Sequence, residues 1–313
     1  MSGPLFRAPV LWLAGSPIVR RLVTGAGPGR RLALRFVAGE TLDDGIQAAR
    51  RLNGRGVGAM LDHLGENVTS AEQASAAADG YVLALKRIDE EGLSDANISV
   101  KLTQLGLDVS EEICLENSHR VLEAAAALGI LVMIDMESFD YVSSTLSIYR
   151  MLRKDHANVG VCIQAYLYRS ADDVRALAEE GATVRVCKGA YLEEPHVSFP
   201  QKADVNRSYA RLVSTLLSAG CPVHIATHDP RLIEGTRRFV ARRGIPSSRY
   251  EFQMLYGIRR DLQQRLVDEG FPVRVYVPYG SQWYPYLTRR LAERPANLWF
   301  LASNLVRRGW MSP

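Results

Sequence analysis

Residues of the kinds that do chemistry interrupt the apolar runs of this chain at nearly regular intervals. GVGAML (56–61) is followed by His63 and Glu66, NISVKL (97–102) carries Lys101, and ILVMID (130–135) ends at Asp135 with Glu137 just beyond. VGVCIQ (159–164) ends at Gln164 with Tyr166 close behind, and TVRVC (183–187) carries Arg185 and runs into Lys188, Gly189, Ala190 and Tyr191. VHIAT (223–227) leads from Thr227 to His228 and Asp229, YEFQM (250–254) holds Gln253, and VRVYV (273–277) holds Tyr276. Any one of these reads equally well as a solvated turn residue. An arginine inside an apolar strand is different, because a buried guanidinium is tolerated only when paired. Lys101 and Asp135 pose the same problem, and one shared site explains all three more simply than three accidents do.

The sharpest spacing lies near the C-terminus. Tyr286, Arg289, Arg290 and Glu293 fall at i, i+3, i+4 and i+7, a single face of a helix. Two guanidinium forks on one face suit a carboxylate or phosphate. Hydrogen bonds to a charged group contribute about 1.5–3 kcal/mol each, so two arginines with Lys101 are enough to grip a small acid. Glu293 can orient its helical neighbours, Glu66 is a second candidate partner, and Leu287 and Leu291 can anchor the helix from a neighbouring face. The plainer reading is an exposed charged surface.

Eight such runs alternate with stretches rich in Ala, Leu, Arg and Glu at helical spacing, among them 71–91, 111–128, 171–180, 202–219, 231–243 and 259–269. Several close on glycine (Gly129, Gly181, Gly220, Gly244, Gly270), the usual left-handed helix stop. Strand–helix alternation implies βαβ units and a parallel sheet, and eight units make a (βα)8 TIM barrel, an α/β fold whose active site lies at the C-terminal strand ends. Residues 1–55 fall outside the count. They read as an N-terminal helical extension, with a helical arm at 9–23, a breaker at 25–29 and a second helix at 42–52. Residues 56–313 form the barrel.

Composition narrows the class further. In 313 residues, 47% hydrophobic and 23% charged with Gly 25 and Pro 14, there is neither a disordered nor a collagen-like chain. A net charge of +4 is too small and dispersed to suggest a nucleic-acid partner. The four cysteines (Cys114, Cys162, Cys187, Cys221) have no CxxC spacing and suggest buried free thiols in a reducing compartment. No run approaches the roughly 20 apolar residues of a membrane span, so the expectation is a soluble cytoplasmic protein. The short apolar arm Val10, Leu11, Trp12, Leu13 leaves peripheral contact at the inner face of the cell membrane open. Gly54–Gly58 precedes its strand, and Gly25–Gly29 lacks the strand–loop–helix order, so neither is a dinucleotide fingerprint. His224 and His228 on a strand are roughly 13 Å apart at ~3.3 Å per residue, too far to share an ion, and no metal is expected. A lysine at a strand end also suits a Schiff-base lyase or aldolase, and the cluster as a whole suits a silent carboxylate-binding barrel.

The runs FVAGET (36–41), LGENV (64–68), SVKLTQLG (99–106), IDME (134–137), VRVCKGAY (184–191) and YVPYGSQWYPYLTRRLAERP (276–295) together resemble the proline dehydrogenases, in their short monofunctional bacterial form. The resemblance spans 36–306. It implies a distorted (βα)8 barrel with its final helix over the mouth. It also implies FAD-dependent oxidation of L-proline to 1-pyrroline-5-carboxylate, with hydride passing to flavin N5 and electrons to a quinone-type acceptor. By the same resemblance Arg289, Arg290 and Lys101 hold the proline carboxylate. Tyr276, Tyr286 and Leu255 pack around the ring, Tyr191 neighbours Arg185, and Glu293 and Glu66 position the arginines that hold the carboxylate. Asp135 and Arg185 take catalytic roles, with Arg185 also at flavin N5. Met136, Gln164, Lys188, Gly189, Ala190, Thr227 and His228 match flavin contacts. Leu192 stands where long bifunctional relatives have tryptophan. Relatives preferring hydroxyproline have a smaller residue at Tyr276, which favours proline here. The second step of proline catabolism to glutamate is expected from a separate pyrroline-5-carboxylate dehydrogenase.

Overall fold

The structure, a computed structural model, describes residues 35–293. The expected arm at 9–23 and the breaker at 25–29 lie outside the described residues, as do the side chains of Arg289, Arg290, Leu291 and Glu293.

Eight parallel strands close a barrel in chain order. They are β1 (Gly58–His63), β2 (Ala96–Val100), β3 (Val132–Ile134), β4 (Val159–Gln164), β5 (Val184–Cys187), β6 (Val223–Ala226), β7 (Tyr250–Leu255) and β8 (Val273–Tyr279). β8 returns to β1, with Gly58 opposite Arg274 and His63 opposite Tyr279. Strands of this kind are covered on both faces, which is why they read as near-continuous apolar runs.

The outer helices are α1 (Leu42–Asn53), α2 (Ala71–Glu90), α3 (Glu111–Ala127), α4 (Val142–Arg153), α5 (Ser170–Glu179), α6 (Lys202–Ser218), α7 (Pro230–Arg243), α8 (Arg260–Asp268) and α9 (Trp283–Glu293). Their starts are chemically marked. Ser70 and Ser110 accept from the backbone of Gln73 and Ile113, and Asp229 caps α7 with Pro230 in its first turn. The five glycines expected as helix stops all have positive φ, between 60° and 80°. α4 is not singled out by the sequence pattern, because its opening Val-Ser-Ser-Thr is a run of weak helix formers that only packing against the barrel holds in place. α1 buries Ile46, Ala48, Ala49 and Leu52 in the same apolar core as the strands.

Two differences from the expected strand limits matter for the site. Gly56 has a φ of +70° and turns the chain out of α1, so β1 begins at Gly58 and runs to His63. Asp62 therefore belongs to the strand instead of to a loop beyond it. β2 and β3 stop one residue short of Lys101 and Asp135, although Asp135 N still donates to Val100 O at 2.8 Å and keeps the ladder in register.

A second apolar cluster of Val37, Leu64, Trp283, Tyr284, Tyr286 and Leu287 fixes α9 to the loop after β1. Leu287 is thus an anchor, and Tyr286 is buried with it.

Candidate active site

Alternate residues of a strand share a face, so the inward set of each strand is fixed by register. Arg185, in mid-β5, reaches across the barrel to the Asp135 carboxylate after β3. Its other terminal nitrogen lies 3.2 Å from Met60 Sδ, and its guanidinium carbon 5.5 Å from the centre of the Tyr276 ring. Asp135 also accepts from Ser99 Oγ at 2.5 Å and Tyr276 Oη at 2.6 Å. Lys101 Nζ donates to Asp62 Oδ1 at 2.8 Å and lies 3.4 Å from Asp135 Oδ2. Asp62 of β1, Lys101 just after β2, Asp135 just after β3 and Arg185 of β5 form a chain of alternating charge, and all are buried.

The electrostatics follow from that alternation. Burial opposes ionisation of Asp135, but Arg185 and Lys101, with the hydrogen bonds from Ser99 and Tyr276, overcome it and hold the carboxyl well below its ordinary range. Burial likewise opposes the charge on Lys101, and Asp62, Tyr276 and Asp135 more than reverse it, so the ammonium is held well above its usual value. Glu137 also feels Lys101, but less strongly than it feels its own burial. Although it accepts from Thr103 N and Oγ1, burial pushes its carboxyl up to about 7. Cys162 Sγ lies 3.6 Å from Cys187 Sγ, and this hydrogen bond together with Arg185 lowers the Cys162 thiol from its ordinary range. All four cysteines are free, and Cys187 alone among them is only half-buried.

Above the charge chain Leu64, Gly65, Glu66, Lys101, Gln282, Pro285 and Tyr286 line a small recess. Three expected substrate residues (Glu66, Lys101, Tyr286) therefore face one space between the β1 and β2 ends and α9. Arg289, Arg290 and Glu293 follow on α9, with side chains outside the described ones.

The ends of β3 to β6 carry the expected cofactor contacts. Gln164 Nε2 donates to Met136 O at 3.2 Å and to Glu137 O at 3.0 Å, leaving its Oε1 buried without a partner. Lys188 pairs with Asp229 at 2.9 Å, and Thr227 Oγ1 accepts from Asp229 N. His228 Nε2 accepts from Leu255 N at 2.9 Å, so the neutral ring carries its proton on Nδ1. Gly189 has a φ of +110°, and a Cβ there would come within 2.2 Å of the Tyr166 ring. Ala190 and Tyr191 follow half-buried. His224 turns away from this end, toward Gln253, Glu251 and Arg274 at the opposite end of the barrel.

Asp62 and Ser99 carry no role in the sequence reading. Asp62 had a legible signal, a carboxylate at the alternate position from Met60 in an apolar run, which the misplaced strand start concealed. Ser99 has no such signal, since a serine in a strand is common.

The proline dehydrogenase family model matches residues 45–303. The chain belongs to the proline dehydrogenase family. It is 41% identical over 281 residues to proline dehydrogenase 1 of Bacillus subtilis subsp. natto, covering 90% of this chain and 93% of the relative. It is 39% identical over 312 residues to proline dehydrogenase of Deinococcus radiodurans, covering 98% of this chain and 100% of the relative. Among solved structures, proline utilization A (PutA) from Bdellovibrio bacteriovorus, inactivated by N-propargylglycine, superposes with a TM-score of 0.80 at 24% identity. That alignment covers 92% of this chain and 36% of the other, and it bears on the fold alone.

As a proline dehydrogenase the chain is an oxidoreductase, and the general reaction of its family is FAD-dependent oxidation of proline. The residues at the ends of β3 to β6 fit a flavin. Gln164 Oε1 is an unsatisfied buried acceptor, suited to a ring N–H. Arg185 and Lys188 are cations suited to the edge that becomes electron-rich on reduction. Among the described residues no helix is long and apolar enough to cross a membrane, and no group of three or more His, Cys, Asp or Glu is placed to hold a metal ion.

Proposed function

We propose that this chain oxidises L-proline to 1-pyrroline-5-carboxylate, with Asp135 and Arg185 as catalytic residues and the recess beneath α9 as the proline site. The observation that carries the reading is the buried Asp62–Lys101–Asp135–Arg185 chain, which opens through Lys101 onto that recess. Bound FAD would supply a hydride acceptor at N5 and an outlet for the electrons to a quinone-type acceptor.

The protein's own residues supply position and charge. Lys101, with Arg289 and Arg290 from α9, holds the proline carboxylate, and Glu66 and Glu293 orient the arginines. Tyr276, Tyr286, Leu255 and Tyr191 pack around the ring. Clamping one end of so small a substrate fixes the distance of its reacting carbon from the acceptor, which is where orientation contributes most to rate. Arg185 keeps a fixed positive charge in a dry site because Asp135 balances it. That charge favours the electron-rich product state without reorganisation of the protein. Met136, Gln164, Lys188, Gly189, Ala190, Thr227 and His228 hold the cofactor. The ring nitrogen must present a free lone pair, so the amine loses its proton before the oxidation.

Residues 56–313 carry both binding sites in this reading, and residues 1–55 form the extension. A separate pyrroline-5-carboxylate dehydrogenase consumes the product. A Schiff-base mechanism is less well supported, since Lys101 between two carboxylates stays protonated and is a poor nucleophile.

The test is the visible absorption spectrum of the purified protein. It is expected to show an oxidised flavin that bleaches on addition of L-proline under anaerobic conditions. A colourless protein that takes up no added FAD would overturn the proposal.

A further inference from the structure

Asp62 is buried at 0% exposure, and its two oxygens are used unequally. Oδ1 takes the 2.8 Å bond from Lys101, whereas Oδ2 is buried with no hydrogen-bond partner. A half-satisfied carboxylate in a barrel interior is costly, so its remaining bond has to matter. An ammonium has three N–H donors. On Lys101 one goes to Asp62 and one points toward Asp135, which leaves a third for the recess that Lys101 lines.

Asp135 cannot balance Lys101 alone. It is the more distant partner, and it is already shared by Arg185, Ser99 and Tyr276. We propose that Asp62 is a positioning residue for Lys101, keeping its ammonium protonated and aimed so that recognition of the substrate carboxylate does not vary with pH. The proposal rests on the reading of the recess as a carboxylate site.

The groups around Lys101 make the idea testable. Lys101 lies within electrostatic reach of Asp62 and His63 of β1, Tyr81 of α2, Asp135 and Glu137 after β3 and Tyr276 of β8, Arg185 of β5 shares Asp135 with it, and Glu66 lines the same recess. Tyr81 and Tyr276 are held well above their ordinary 10.0 by burial, Arg185 stays cationic and Asp135 anionic. His63 lies below 6.5 through burial, and Glu137 is near 7. With Asp62 neutralised, burial is left opposed chiefly by a shared Asp135, and Lys101 becomes the group that can lose its charge in the alkaline range.

The experiment measures binding of cyclopentanecarboxylate, a proline analogue without the amine, to the flavin-loaded protein by calorimetry from pH 7 to 10. This ligand has no group that titrates in that range, so any pH dependence belongs to the protein. Wild-type affinity is expected to change by less than about twofold. Asp62→Asn should bind within about threefold of wild type at pH 7, then weaken about tenfold per pH unit once Lys101 begins to deprotonate, as loss of one proton requires. Adding Lys101→Arg to Asp62→Asn should remove that alkaline limb, because a guanidinium does not deprotonate. A uniform loss of affinity at every pH in Asp62→Asn would show a merely structural role and overturn the proposal while leaving the carboxylate site standing. Should that variant fail to fold, wild-type affinity that itself falls tenfold per unit above pH 8 overturns the proposal without it. A wild-type protein that oxidises proline but does not bind the analogue overturns this role for Lys101 and Asp62. A protein that does neither overturns the functional reading as well.

Discussion

Asp135→Asn removes a single charge from the middle of the buried chain and preserves its shape. Lys101 keeps Asp62 as a partner in this variant, so the loss falls on Arg185. What remains around the guanidinium is Met60 Sδ, Ser99 Oγ at 3.4 Å, the Cys162 thiol and the face of Tyr276. Among the described residues no other carboxylate is paired with it. Breaking a buried pair by deleting one partner costs about 3–5 kcal/mol. Domains of 150–250 residues lose about 2–4 °C of melting temperature per kcal/mol. For this larger chain the low end applies, giving a fall on the order of 6–10 °C, measured by calorimetry at pH 7. Removing Arg185 instead, as Arg185→Met, leaves Asp135 with Lys101, Ser99 and Tyr276 and should cost less. The double variant should be more stable than Asp135→Asn alone. The sign with pH is fixed as well. Asp135 is depressed below its unfolded 3.8, so its stabilisation is complete above that value and disappears only as pH falls through the folded one. The deficit of Asp135→Asn should therefore be constant from about pH 6 to 8 and shrink only in strong acid. A variant melting within about 2 °C of wild type, or a double variant whose losses simply add, would refute the account of Arg185 as charge-dependent on Asp135.

The Glu137 carboxyl is near 7 when folded against an ordinary 4.5, so the folded state binds the extra proton and stability falls as pH rises between those values, by on the order of 3 kcal/mol. Glu137→Gln should abolish that part of the pH dependence in thermal melts and be the more stable protein at pH 8. Gly189→Ala forces a methyl into the Tyr166 ring at a φ of +110°, and should reduce flavin retained per mole of protein, read at the visible absorption maximum. Arg274→Ala takes the guanidinium from the largely buried Glu251 at the far end of the barrel, where Arg274 also holds Asp95. It should cost about 3–5 kcal/mol in denaturant melts yet leave kcat/KM for proline within about threefold, because that end serves stability and not the site.

The chain's own pattern was enough for the barrel. Apolar runs with β-branched residues, helical spacing between them and glycine at helix ends are local signals, and local signals suffice when each strand pairs with its sequence neighbour. Lys101, Asp135 and Arg185 were also legible, as charges in apolar runs that burial forces to find partners. Which partner each takes was not. That depends on register around a closed cylinder, where a two-residue error at Gly56 hides Asp62 from the interior altogether. The orphaned oxygens of Asp62 and Gln164 and the upward shift of Glu137 belong to the assembled interior for the same reason. They arise from desolvation, and desolvation is decided by everything packed around a group, most of it distant in the chain.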